Sequence, residues 1–561
     1  MAIVFSSFLY IGITTFLTGF GIRMAVKKLL GYTIQDSISI SFAGLAFVTV
    51  YAGFFSLFTG VGLMANLGLA ILCLIVAVLG REELSGFLKE KMMKKNKGWM
   101  ILCLFLLLLF SYGTSRGYLH FDTGLYHAQA IRWIEEYGVV PGLANLHCRL
   151  AYNSSAFLLT ALYSFSFILP VSLHTAAGYM AFLLTLKGLE AGKVFFVKRV
   201  RVSDFLKVSA LFYVSIIFTE MISPASDYFA MILLFYILIV WVELEEKEEK
   251  DITPYSLLCV LLAVTVTVKL SAGIMLLLVI KPAIELLKKK QYVRIAGYLF
   301  MGIVSVFPYL ARNVILSGWL IYPLASLDLF NFDWEIPVGE VQYDSEEIRV
   351  YAKGMRDVML KDTPLLEWLP DWFQALKALE KLWVLSSLAA VILVLTGAAV
   401  IFLKKRRQDY GLIFTGVVLI AGYLFWQLGT PLVRYGYIYI LAFPFFAAGI
   451  WYRLLLGTGK KNYLLFTFLF VVFIAVKGKN LAEDVIRFAH QPYYLMQQDY
   501  RGGEASSYKI QGKEFFIPLE QGQIGYDKFP GVPYERYDVR LRGHSLKEGF
   551  CRIIPSKSVG K

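Results

Sequence analysis

The chain has 561 residues, of which 58% are apolar and only 17% charged, with a formal charge of +14. That balance excludes an ordinary soluble domain, which needs more polar surface to stay in water. It also excludes nucleic acid as the partner of the positive charge, because the basic residues stand in short clusters between long apolar runs.

An apolar run of roughly 20 residues crosses the hydrocarbon core of a bilayer as a helix. Taken in chain order, the runs at 4–24, 39–58, 62–80 and 99–116 open the series. Those at 174–196, 205–221, 227–242, 254–268, 270–286 and 293–311 form its middle, and 382–403, 410–428, 433–456 and 462–478 close it. Together they predict an all-α polytopic membrane protein of about 14 transmembrane helices. The first run, Val4–Phe20, has neither a charged leader nor a small-residue cleavage pattern, so it is expected as an uncleaved span. With the N-terminus outside, the clusters Arg23/Lys27/Lys28, 81–97, Lys198/Arg199/Arg201, Lys247/Lys250, 288–290, 404–407 and Lys460/Lys461 all fall inside. A span at Ser154–Leu169 would break this alternation, and that segment is expected instead as a re-entrant or interfacial outer helix.

The transmembrane domain then covers 1–478 and carries two outer loops, 117–173 and 312–381. Residues 479–561 follow as an extracytoplasmic C-terminal domain. Gly and Pro turns around strand-like stretches at Lys509–Pro518 and Arg536–Leu541 mark it as small and β-rich. The five cysteines show no CxxC spacing. Cys148 and Cys551 fall outside, where a disulfide is chemically permitted, although two separate free thiols are the favoured reading.

The first outer loop carries the densest polar chemistry. From His120 to Gly138 it reads as a surface helix, with Asp122 at its start and Gly138 as its stop. Leu125, Ile131, Trp133 and Ile134 suit a face on the membrane, and Tyr126, His127, Gln129 and Arg132 form the other face. Two roles compete for Asp122: a helix cap, or a reactive carboxylate where a lipid-borne substrate meets water. His120, Asp122, His127 and His147 fit no established metal-ligand spacing, so no metal or other cofactor is expected, a divalent ion being the lesser alternative.

Here the sequence resembles a family. Asp122-x-x-x-Tyr126-x-x-x-Ala130, followed by Ile131 and Gly138, is similar to the first-loop motif of GT-C-fold membrane glycosyltransferases, nearest to protein O-mannosyltransferases and the aminoarabinose transferase of lipid A. Further matching points are Ser223–Asp227, Val268–Gly273 and Pro431–Tyr435. Arg312-Asn313 with Gly318–Pro323 resembles uncharacterised bacterial membrane proteins of the same broad type. Together these points extend over residues 99–456. Two features depart from the pattern. Thr123 stands where many relatives carry a second acid, which weakens a metal role. Leu143–Asn153 replaces the usual Pro-Pro-Leu, which weakens placement in a named subfamily.

The resemblance implies a GT-C-like helical bundle at the plasma membrane with its active site on the extracytoplasmic face. It implies a sugar donor on a polyprenyl phosphate, a hydroxyl acceptor on lipid, glycan or protein, and inversion at the anomeric carbon. Asp122 is then the general base. Lys269, Arg312 and Arg434 supply countercharge for the leaving phosphate, against the alternative that each snorkels to the interface. Asp227 orients a sugar hydroxyl or pairs with one of those cations, unless it merely caps its helix. Tyr126 and His127 complete the substrate-binding set. Tyr126, Trp133 and Tyr152 are expected to stack on sugar or anchor at headgroups. Three other readings compete. A transporter or flippase of lipid-linked saccharides tends to carry charges in mid-span and repeated halves, neither of which the sequence shows. A polysaccharide polymerase or ligase usually has one dominant late outer loop. An inactive structural subunit would use its C-terminal domain for docking.

Overall fold

The computed structural model describes residues 1–94, 97–457, 462–500, 502–520 and 522–553. The expected cytoplasmic pair Lys460/Lys461, and residues 95–96 of the 81–97 cluster, lie outside the described residues. Within them the chain is a multi-pass helical membrane protein. Ten helices are long and apolar enough to cross a bilayer, or eleven if Leu63–Leu79 and Arg81–Lys91, bent by 83° at Gly80, are taken as one span.

That corrects the expected 14. Ala176–Leu189 has 14 residues, and Val202–Ile217 and Thr253–Val268 have 16 each. Each is shorter than the roughly 20 residues that a helix needs to cross the hydrocarbon core. Ser155–Leu162 is an eight-residue helix, capped by the Ser154 hydroxyl and buried on every side, so it does not span.

Ser226–Glu246 is the axis of the bundle. It is apolar around its whole circumference, as a helix enclosed by other helices must be, and 89% of its most apolar stretch is buried. The peripheral Tyr463–Arg487, by contrast, is 11% buried over the same length and turns Leu464, Phe468 and Leu469 outward. Ala2–Leu30 and Ser37–Ser56 cross in contact through glycine. A Cβ on Gly19 would stand 1.9 Å from the Ile40 carbonyl oxygen, and one on Gly44 would stand 1.7 Å from that of Thr15.

Tyr463–Arg487 runs through the expected boundary at 478, so the tail proper follows Arg487. It holds two antiparallel pairs, β1 (Ala505–Ile510) with β2 (Lys513–Pro518) and β3 (Val539–Leu541) with β4 (Phe550–Arg552). Lys509–Pro518 is thus not one strand but the end of β1, a turn and β2. The turn is Gln511-Gly512, with φ of 46° and 84°, the left-handed pair that matches hairpin twist. Of Arg536–Leu541 only the last three residues are strand.

The tail is not an independent module. Phe515, Val532 and Phe550 share a core with Trp133, Val140 and Leu143 of the 117–173 loop. The Gln129 amide donates to the Gly525 and Lys528 carbonyls (2.8 and 2.9 Å) and accepts from the Gly531 N–H (2.8 Å). The loop helix therefore lies between bundle and tail, with Ile131, Trp133 and Ile134 buried in protein rather than resting on a membrane surface. Cys148 and Cys551 are free thiols.

Candidate functional site

Four segments far apart in sequence bring charged side chains together at one end of the bundle. Asp122 precedes a π-helical turn, Thr123–His127, which leads into Ala128–Tyr137. Its backbone is helical (φ −62°, ψ −15°) and its carboxylate caps nothing. Asp227 is the second residue of Ser226–Glu246, whose cap position is Ala225, so it is not a cap either. Lys269 is the extended residue (φ −153°) between Thr253–Val268 and the 3₁₀ segment Leu270–Val279. Arg434 lies in the 3₁₀ turn Val433–Tyr435, shortly before a second π-helical turn, Ile438–Ala442. Single π turns of this kind recur at functional sites because they re-aim side chains.

Arg434 is the hub. Its Nη2 lies 3.1 Å from Asp122 Oδ2 and its Nε 3.3 Å from Asp227 Oδ2. Lys269 Nζ pairs with the other oxygen of Asp227. Two carboxylates thus face two cations in nearly balanced charge. Asp122 and Arg434 remain 24% and 26% exposed, so a solute reaches them, whereas Asp227 is only 9% exposed beneath. Neither cation snorkels away from the protein; both turn inward to carboxylates.

His120 closes one side. Its Nδ1 accepts the Asp122 N–H at 3.1 Å, its Nε2 meets Arg434 Nη1, and its own N–H donates to Ser223 Oγ at 2.7 Å. Burial and the adjacent Arg434 hold the imidazole pKa below its ordinary value. His127, 2% exposed and with Nδ1 unpartnered among the described residues, is pushed down to about 3 by burial. Both rings are therefore neutral near pH 7. Tyr126 stacks edge-on against His127, with ring centres 4.5 Å apart, and burial followed by the Asp122 charge holds its hydroxyl well above the ordinary tyrosine range.

Arg312 is not part of this cluster. It is 2% exposed, and it donates from Nε to Asn153 Oδ1 (2.8 Å) and from Nη1 to Ser56 Oγ (2.8 Å) and the Gly138 carbonyl (3.0 Å). It ties the end of the loop helix to the bundle. Trp133 sits in the shared core under the tail; Tyr152 packs edge-on against Tyr126, with ring centres 5.9 Å apart, and its hydroxyl turns away to donate to Asp344 (2.8 Å).

Tyr435 was not singled out from sequence. Lys269 Nζ lies 3.6 Å from its ring centre and Arg434 Cζ 5.2 Å from it, so one aromatic ring serves both cations. Its position beside Arg434 in the chain was the available signal. Glu220, exposed on the turn before Ser223, accepts from the Tyr228 hydroxyl at 2.6 Å and adds a further carboxylate near His120. Among the described residues no group of three or more His, Cys, Asp or Glu is arranged to hold a metal ion.

Chemically, the arrangement offers a carboxylate that a solute can reach, two cations suited to a phosphate, and an aromatic face. A family model described as a domain of unknown function (DUF8201) matches residues 1–441, and the chain belongs to that family. The match takes in Asp122, Asp227, Lys269 and Arg434 and stops before the tail. No curated protein and no solved structure matches the chain.

Proposed function

We propose that this member of the family is a membrane glycosyltransferase of GT-C type. It would move a sugar from a polyprenyl-phosphate donor to an acceptor hydroxyl on lipid, glycan or protein at the non-cytoplasmic face of the plasma membrane. The observation that carries the reading is the shared use of Arg434 by Asp122 and Asp227, with Lys269 on the far side of Asp227.

Arg434 holds Asp122 in an ion pair and is at the same time a cation suited to a phosphate. A donor phosphate entering beside Arg434 and Lys269 competes for both cations. Asp122 is then released at the moment the leaving group is bound. The acceptor oxygen attacks the anomeric carbon and its proton passes to Asp122. The bond from that carbon to the phosphate oxygen breaks, with its electron pair leaving on polyprenyl phosphate. Attack from the face opposite the phosphate inverts the centre. The departing phosphate needs countercharge rather than a proton, unlike the sugar alkoxide that glycoside hydrolases must protonate. That asymmetry fits a site with one accessible base and two cations. Tyr126 and Tyr435 offer ring faces to the sugar.

The test is turnover of a radiolabelled polyprenyl-phosphate sugar by membranes carrying the protein or its Asp122→Asn variant. The substitution is expected to lower the rate by about 10²–10⁴ at an unchanged protein level, the usual weight of a general base. Equal turnover by both proteins removes Asp122 from the role.

A further inference from the structure

The end of the bundle away from Asp122 holds a second, differently built chamber. Glu243 lies about 24 Å along Ser226–Glu246 from Asp227, and there a cavity of about 670 Å³ opens between Ser37–Ser56, Ser226–Glu246, Thr253–Val268 and Tyr292–Ser317. Its lining divides in two. One part is charged, with six basic side chains against four lining carboxylates and a fifth, Asp204, that pairs with Lys207 from outside the lining, an excess of one positive charge. The other is apolar and includes Ala43, Ala46, Leu258, Leu261 and Met301.

The charged part has a fixed layer and a free one. Lys187 is 5% exposed and pairs with Glu190 and Glu243 at 2.9 Å each. Lys207, 6% exposed, pairs with Glu243 at 2.9 Å and Asp204 at 3.1 Å. These ions are matched to one another and leave little for a ligand. Lys91, Arg201 and Lys247 also line the cavity, and among the described residues no carboxylate forms an ion pair with any of them; the lining carboxylates Asp36 and Glu249 likewise stand outside the ion pairs. Three cations against two carboxylates leave the rim net positive, where an anion can reach it.

The apolar part is closed towards Asp122. Towards Asp122 the same seam, sharing Ala46 and Leu261, narrows to a void of about 10 Å³, too small for a chain. Sideways, the half-buried Met301 belongs to Tyr292–Ser317, whose Phe300 and Ile303 are 67% and 65% exposed on its lipid-facing side. A molecule occupying the whole chamber thus carries its charge at Arg201 and Lys247 and its apolar length along Ala43, Leu258 and Met301, out between two helices.

We propose that this chamber is a second ligand site, taking a membrane lipid with a net-negative phosphate headgroup. A zwitterionic lipid does not offset the net positive charge of the rim, and a soluble anion leaves the apolar wall uncovered. The inference does not depend on the glycosyltransferase reading, since none of its residues belongs to the Asp122 cluster.

The test uses the full-length protein in detergent, with lipid retention measured by native mass spectrometry and unfolding temperature read in parallel. Probes are phosphatidylglycerol, phosphatidylcholine and inorganic phosphate. Retention of phosphatidylglycerol but not phosphatidylcholine is expected. The Arg201→Ala/Lys247→Ala variant should weaken it by about tenfold or more, as two lost charge-assisted contacts predict. Ala43→Leu, which fills the chain path and leaves the rim intact, should weaken it comparably, and both variants should unfold at the wild-type temperature without lipid. Equal retention of the two lipids overturns the proposal. So does phosphatidylglycerol binding that neither variant alters, and so does stabilisation by inorganic phosphate that persists in Ala43→Leu, which would mark a soluble-anion site.

Discussion

The helix Ser226–Glu246 has an ion cluster at each end, and the two are built to different rules. At the Glu243 end, every charge of the inner layer has a partner, side-chain exposures run from 5% to 15%, and Glu243 is shared by two lysines. At the Asp227 end, a single arginine is shared by two carboxylates, and two of the partners are about a quarter exposed. A closed, saturated network fixes helices against one another, since opening it leaves a charge without water or partner. An open cluster with a shared cation exchanges partners when an anion arrives. Burial separates the two ends, whereas pairing and the number of charges do not.

The largest expected effect tests the closed end. Glu243→Ala leaves Lys187 and Lys207 facing each other with one carboxylate apiece, and removal of one partner from a buried network costs about 3–5 kcal/mol. The lower end of that range is expected, because Glu190 and Asp204 remain. Thermal unfolding in detergent measures it. The same substitution at Asp122, whose pair is partly exposed, is expected to cost about 1 kcal/mol or less. If Asp122→Ala destabilises as much as Glu243→Ala, the distinction between the ends collapses and the Asp122 cluster is structural.

Next in size is Arg434→Gln. On the proposed mechanism it removes the countercharge of the leaving phosphate, and turnover should fall by about 10²–10³, the weight of one preorganised electrostatic contact at a transition state. Stability should move by only about 1 kcal/mol, since Asp227 keeps Lys269. A loss of fold without a loss of turnover per folded molecule would reverse the assignment of the two ends.

Much of this contrast was legible in the chain, but not all. Asp122, Asp227, Lys269 and Arg434 stand where apolar runs begin or end, and that position singles them out. Arg312 gives the same signal, a basic residue near the end of an apolar run, yet it faces Ser56, Asn153 and Gly138. Run length fixes how deep a residue lies and says nothing of its direction around the helix, and that direction decided which cations joined Asp122. The span count turned on length instead: the runs at 174–196 and 205–221 read as spans by hydropathy, but their helices Ala176–Leu189 and Val202–Ile217 have only 14 and 16 residues. The loop helix was mistaken for a membrane-surface helix because its second apolar partner, the tail around Phe515 and Phe550, comes almost 400 residues later.

The smallest expected effect refines what the open end is made of. Tyr435 puts its ring under Lys269 at 3.6 Å and within 5.2 Å of Arg434, and its hydroxyl lies 3.4 Å from Arg434 Nη2. The ring face is the stronger contact, since a hydrogen bond at 3.4 Å is weak, whereas a cation over an aromatic face is worth about 0.5–2 kcal/mol according to its desolvation. Tyr435→Leu should therefore lower kcat/KM for the polyprenyl-phosphate sugar by about 2- to 30-fold. Tyr435→Phe, which keeps the face and loses only the hydroxyl, should stay near wild type. If the ring acts by holding both cations ready for phosphate, the loss with Leu appears at low donor concentration and fades at saturation. If Phe is as impaired as Leu, the hydroxyl is the working group. The open end would then hold Arg434 by a directed bond, as the closed end holds its lysines.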